Sequence, residues 1–248
     1  MGDGGSGTRI GAGLGRAVQA APPDGPGADP ARWPARRHQA PLGRWDFISP
    51  EDPREADRLD AGAVLESEWK CWVPPPSWDN PEYRDQRAPF TLEWPGLAAP
   101  QDTPLTPAEQ QQALDVTLPQ IRQANRATPH ARIGLVTAAR PADVLAVIGW
   151  GALYPGRESL PPLTAVLRSW EDRFGARLID VGYADLRPFV ERPPRTLHAA
   201  ERIAAEQVLL ADDCIDGARD IATIAARLVS APIWTFWWDC TRKPTRPH

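Results

Sequence analysis

Apolar positions recur most regularly in the middle of the C-terminal half of the chain. Five large apolar residues fall there at i, i+3, i+4, i+7 and i+11, which places them along one side of an α-helix. They are Leu163, Val166, Leu167, Trp170 and Phe174. Gly175 follows directly, and glycine readily adopts the left-handed conformation that ends many helices. The pattern predicts a helix over residues 162–174 whose apolar stripe is buried.

Further helices and strands are predicted on both sides of this one. A helix begins at the capping box of Thr106, Pro107 and Glu109, and Pro119 is expected to kink or split it. The other predicted helices, in which apolar residues recur every three or four positions, cover residues 141–148, 196–210 and 218–229. The predicted strands cover residues 132–136, which are apolar enough to be buried, and residues 178–183, 188–192 and 233–238.

The order of these elements predicts the fold class. Along the chain it is strand, helices, strand, strand, helices, strand. Such an order is typical of an α+β domain with a small mixed four-stranded sheet covered by helices. A ferredoxin-like split βαβ arrangement fits this order best, and another small α/β sandwich fits almost as well.

Composition divides the chain into four parts. Residues 1–45 are rich in Gly, Pro, Ala and Arg and offer too few apolar side chains for a core, so we expect this arm to be disordered. Residues 46–105 are acidic and rich in Trp and Pro, and we expect an irregular segment that packs on the domain through its tryptophans. Residues 106–239 form the predicted α/β domain, and residues 240–248 a basic tail.

Charge and cysteine content argue against several function classes. Residues 106–239 carry 14 arginines and 16 acidic residues, so nucleic-acid binding by the domain is not expected. Arg32, Arg36 and Arg37 leave an RNA contact by the arm open. The three cysteines and four histidines lack metal-site spacing, and we expect neither a metal nor a cofactor. No apolar run is long enough to cross a membrane, and the cysteine pattern favours a cytoplasmic protein.

Several short runs in the C-terminal half resemble a known family. They read RSWEDRFGARL at residues 168–178, VGY at residues 181–183 and FWWD at residues 236–239. They resemble the actinobacterial domain of unknown function 4253 family, and the resemblance extends over about residues 88–239. It implies a fold and no established activity. Relatives tend to carry Ala-Glu-His where this chain has Ala-Glu-Gln at residues 205–207, so a histidine that would serve as an acid or base is absent.

The acidic residues have ordinary structural interpretations. Glu171 and Asp172 lie three and four residues after Arg168, so ion pairs between them are expected on the exposed face of the helix. Nearby arginines favour ionised carboxylates, whereas acid/base catalysis needs a carboxyl whose pKa is raised. The run DDCIDG at residues 212–217 suggests a calcium or magnesium-diphosphate site, but essential ligands are missing and a helix cap is preferred.

The expected function is a non-catalytic protein-interaction or regulatory domain of a bacterial cytoplasm, with an immunity protein as one form. Its partner is an unidentified protein. The candidate binding surface, which combines aromatic rings with charged side chains, comprises Trp150, Arg168, Glu171, Asp172, Trp238 and Asp239. The alternative is a metal-dependent hydrolase or nuclease-like enzyme that uses Glu171, Asp172 or Asp239.

Overall fold

The chain folds as a mixed α+β structure. The computed structural model describes residues 50–73, 81–127, 133–151, 159–182, 185–211 and 220–237; the arm and the tail named above lie outside them. Its α-helices are α1 (Ala61–Trp72), α2 (Pro81–Arg87), α3 (Pro107–Ala127), α4 (Val144–Ile148), α5 (Pro161–Phe174), α6 (Leu197–Leu210) and α7 (Ile221–Leu228). Its strands are β1 (Ala176–Val181), β2 (Asp185–Val190) and β3 (Phe236–Trp237), and 3-10 turns cover Pro53–Arg58 and Pro141–Asp143.

The sheet of the described residues has three antiparallel strands in the order β1-β2-β3. In β2, alternate residues are buried, so one face of the sheet is turned toward the core. The register between β1 and β2 shifts once, between Leu178 and Asp180. An isolated bridge between Phe189 and Ile233 extends the contact between β2 and the segment before β3.

The expected mixed four-stranded sheet is not observed, because residues 133–136 form no strand. Ile133 and Leu135, which were expected in the core, are 91% and 75% exposed. Apolar content favoured a buried strand, but a strand also needs a neighbour for its backbone hydrogen bonds. The described residues therefore do not show a ferredoxin-like arrangement.

Helix α5 is the central helix, as its apolar stripe predicted. All five stripe residues are buried, and Gly175 ends the helix with a positive φ of 64°. Trp170 stacks on Phe236 with 5.4 Å between ring centroids and meets Trp234 edge-on at 5.5 Å. Since α5 also packs against β1 and α1, it joins the sheet to the N-terminal helices.

The acidic segment before residue 106 is more regular than expected. It contains α1 and α2, whereas proline punctuation suggested irregular structure. Asp60 caps α1 by accepting a hydrogen bond from the Ala63 backbone N–H at 2.7 Å, and Leu65 and Trp69 of this helix are buried in the main core. The prolines lie outside the interior of α1, so they do not prevent it from forming.

Other predicted elements match with small shifts of their ends. Thr106 and Glu109 form the predicted capping box, with hydrogen bonds of 3.2 and 2.7 Å to each other's backbone N–H. Helix α3 continues past Pro119 and is not split there, although proline removes one internal hydrogen bond. Helix α6 begins after its cap Thr196, and α7 after its cap Asp220. None of the helices in the described ranges is long and apolar enough to span a membrane.

Candidate functional site

The polar face of α5 holds the charged residues that the sequence singled out, and each is already paired. Arg168 donates from Nε to Oδ1 of the buried Asp143 at 2.6 Å and from Nη2 to the Pro53 carbonyl at 3.0 Å. Its Nη1 pairs with Asp57. Burial disfavours the charged guanidinium, but the hydrogen bonds with Asp143 and Asp57 outweigh this effect and raise the pKa of Arg168.

Glu171 and Asp172 pair with Arg140, and the structure does not show the expected ion pairs with Arg168. Oδ1 of Asp172 accepts from Nη2 of Arg140 at 2.5 Å. Oε2 of Glu171 accepts from Nε of Arg140 at 3.4 Å and from the Ala142 backbone N–H at 3.3 Å. Arg168 is unavailable because it points toward Asp143 and Asp57. These contacts fasten the 3-10 turn at Pro141–Asp143 to the end of α5.

Trp150, which was expected on an exposed aromatic surface, is fully buried. It follows Gly149, the left-handed cap of α4. Its indole Nε1 donates to the carbonyl of Gly182 at 2.9 Å, so the ring supports the β1–β2 turn from inside. The other two residues of the expected surface, Trp238 and Asp239, lie outside the described residues.

A buried carboxylate that the sequence did not single out lies at the centre of a second polar cluster. Glu206 of α6 is fully buried. Its Oε1 accepts from the Ala98 backbone N–H at 2.7 Å and from Nη1 of Arg173 at 2.7 Å. Its Oε2 accepts from Nε1 of Trp170 at 2.7 Å and from Nη2 of Arg173 at 2.6 Å. The fork of Arg173 and two neutral donors thus neutralise and satisfy both carboxylate oxygens.

A sequence signal for this cluster exists in the helical periodicity of α6. Glu206 follows Ile203 by three residues and Gln207 follows it by four, which places both on the inward face of the helix. Gln207 is the second of these two polar residues. Its side chain is 1% exposed, and neither amide atom has a hydrogen-bond partner. The inward polar position therefore identifies the buried network at Glu206, whereas Gln207 takes no part in it.

A small depression of the described residues lies apart from these clusters. It lies between α1 and α2 and is lined by Trp72, Val73, Tyr83, Gln86 and Arg87. Its cavity volume of about 10 Å³ is at the lower limit for one water molecule. The described residues include no group of three or more His, Cys, Asp or Glu side chains that could hold a metal. Residues 212–217, the other metal candidate, lie outside them.

The most exposed apolar side chains belong to the segment before the second 3-10 turn. Ile133 and Leu135 are two residues apart, so in an extended chain they point to the same side. The other exposed large apolar residues are less exposed and lie apart in the sequence: Leu59, Tyr83, Leu92, Val116, Leu197 and Trp237. Single exposed apolar residues are normal, whereas an adjacent pair indicates a contact surface.

The C-terminal part of the chain matches one family. Residues 132–239 match the model of the family described as "Domain of unknown function (DUF4253)", which confirms the family for this part of the chain; residues 88–131, which the resemblance also included, lie outside the match. No curated protein and no solved structure matches the chain.

Proposed function

We propose that the protein is a non-catalytic interaction domain of a bacterial cytoplasm, and that it contacts a partner protein through residues 133–136. This keeps the function expected from the sequence but moves the contact surface. Trp150 and Arg168, which headed the expected surface, are engaged inside the fold. The cytoplasmic location continues to rest on the cysteine pattern.

Exposure of Ile133 and Leu135 is the observation that carries the proposal. Both side chains are largely in water, at 91% and 75%, and no described backbone hydrogen bond involves residues 133–138. Aliphatic side chains are unfavourable in water, and burying each of these two on a partner would contribute about 1.5–3 kcal/mol to the binding free energy. A short extended segment can also offer its free N–H and C=O groups to a partner's strand.

The paired state of the acidic residues favours binding over catalysis. A metal-dependent hydrolase would need Glu171 and Asp172 to direct free oxygens toward a cation. Instead, one oxygen of each carboxylate accepts from Arg140, Oε2 of Glu171 and Oδ1 of Asp172, so neither carboxylate is fully available to a cation.

The proposal is tested by cross-linking and affinity capture from the native host. The bait carries either the natural sequence or the double substitution Ile133→Asp and Leu135→Asp. The matched control replaces Val116 and Leu197, which are 57% and 52% exposed on helices, with Asp. A partner that the natural chain and the control capture, and that the Ile133 and Leu135 variant loses, supports the proposal. Equal capture by all three chains refutes it.

A further inference from the structure

Two stretches of backbone N–H and C=O groups have no hydrogen-bond partner among the described residues. Strand β1 pairs with β2 along one edge, and no described hydrogen bond uses its other edge. Residues 133–138 likewise make no backbone hydrogen bond with any described residue. Free sheet edges and free extended segments are the components of strand addition.

Chain connectivity brings these two stretches close together. The 3-10 turn at Pro141–Asp143 contacts β1, and only two residues separate it from residue 138. Residues 133–138 are therefore attached by a very short tether to a turn that contacts β1. A short tether gives an effective concentration of about millimolar, which favours this segment over any other occupant.

The chain between residue 138 and β1 is also long enough to join two parallel strands. Between residue 138 and β1 the chain forms the second 3-10 turn, α4 and α5. Parallel neighbours need a crossover of about a dozen residues or more, most often helical, and 37 residues separate residue 138 from Ala176. The order strand, helix, strand is the one in which such crossovers occur.

We infer that residues 133–137 add to the free edge of β1 as a fourth, parallel strand, and that the structure shows the undocked state. In the docked state Ile133 and Leu135 extend the buried side of β1 that holds Ala176 and Leu178. In the undocked state the same two side chains are exposed to a partner. The segment is thus a switch between the chain's own sheet and the contact proposed above.

The apolar pattern of the segment suits the docked state. Ile133 and Leu135 alternate with Gly134 and Val136, as residues with one core-facing side do. Residues 133–139 carry no charge, so the addition would bury no unpaired ion. Arg140, the next residue, is held by Glu171 and Asp172 in the undocked state and can keep these contacts as a pivot.

Disulfide trapping tests the inference in the full chain. Cys71, Cys214 and Cys240 are first replaced with Ser, and Val136→Cys is then combined with Arg177→Cys or Ile179→Cys. Neighbouring strands lie about 4.8 Å apart, within the Cα separation of a disulfide. We expect at least one pair to form a disulfide within the monomer under mild oxidation. The control pair, Val136→Cys with the exposed Leu197→Cys, is expected to remain reduced.

Amide hydrogen exchange supplies the second measurement. Docking predicts that residues 133–137 exchange at least tenfold more slowly than an unstructured peptide, and that Leu135→Asp removes this protection. Unprotected amides, or disulfides that form only between two copies, overturn the inference. The capture experiment tests the proposed function separately. If the Ile133 and Leu135 variant loses the partner but the amides are unprotected, the proposed function is supported and only the switch is refuted.

Discussion

Replacing Arg173 and replacing Glu206 should lower the unfolding free energy non-additively, because the two side chains form one buried ion pair. The perturbation is a double-mutant cycle with Arg173→Met, Glu206→Leu and the two combined. Each replacement keeps most of the side-chain volume and removes the charge. The pair is buried at both ends, since the side chain of Arg173 is 11% exposed and that of Glu206 is 0% exposed.

The contacts of Arg173 and Glu206 determine the expected loss of unfolding free energy for each substitution. Arg173→Met leaves the Glu206 carboxylate buried with only the Ala98 and Trp170 N–H donors, and an uncompensated buried charge costs about 3–5 kcal/mol. Glu206→Leu leaves the Arg173 guanidinium uncompensated and should cost about the same. The double variant has no buried charge and leaves two N–H donors without an acceptor, at about 1–3 kcal/mol each.

The cycle therefore predicts strong coupling. The single losses sum to about 6–10 kcal/mol, while the double variant should lose about 2–6 kcal/mol; the difference, about 4 kcal/mol, is slightly above the upper end of about 3 kcal/mol usual for coupled pairs. Urea unfolding followed by tryptophan fluorescence measures each free energy, because Trp170 lies inside the cluster. The matched control is Glu66→Gln, which breaks the exposed ion pair with Lys70 and should change the unfolding free energy little.

Additive losses would contradict the predicted coupling between Arg173 and Glu206. If the double variant lost the sum of the two single losses, Arg173 and Glu206 would stabilise the fold independently, and the carboxylate would not need its arginine. A loss at Arg173 as small as the loss at Glu66 would show that the Glu206 carboxylate does not depend on Arg173 in the folded protein.

Two single substitutions test the end of α5 at Gly175 and the β1–β2 hairpin at Asp185. Gly175→Ala should lower the unfolding free energy by at least about 1–2 kcal/mol, because φ is 64° and the added Cβ would lie 2.8 Å from Glu191 Cβ. Gly96→Ala, with φ of 79° and open space, should cost less in the same urea titration. Burial raises the pKa of Asp185 despite Arg187, so the natural chain should gain stability as the pH falls toward that raised pKa. Asp185→Asn should be more stable at pH 7, and this advantage should vanish in acid; equal stability at pH 7 would contradict the burial argument.

The helical part of the fold was predictable because burial and local signals agree there. In α5 the apolar stripe and Gly175 indicate the same element, and the structure confirms both. Helix α6 has Thr196 as a side-chain cap before its apolar face. Helix periodicity depends on neighbours three and four residues away, so a single sequence contains the relevant information.

The sheet and the polar clusters were less predictable because they depend on distant partners. Residues 132–136 have the composition of a strand, but pairing requires a second strand that composition does not identify. Glu206 meets Ala98 and Arg173 across 108 and 33 positions of sequence. Arg168 could reach Asp172 within its helix, yet it binds Asp143 and Asp57, which come from two other segments.

Helix α5 shows why charged residues next to an apolar stripe need not form a functional surface. Its apolar side packs in the core, and its polar side is used by three other segments of the chain: Arg168 binds the turn at Pro53–Arg58, Arg173 binds the Ala98 carbonyl, and Glu171 binds the turn at Pro141–Asp143. A helix surrounded in this way has little left for a partner. Apolar groups that the fold leaves in water are then the better indication of a contact, and in the described residues Ile133 and Leu135 are the most exposed of these.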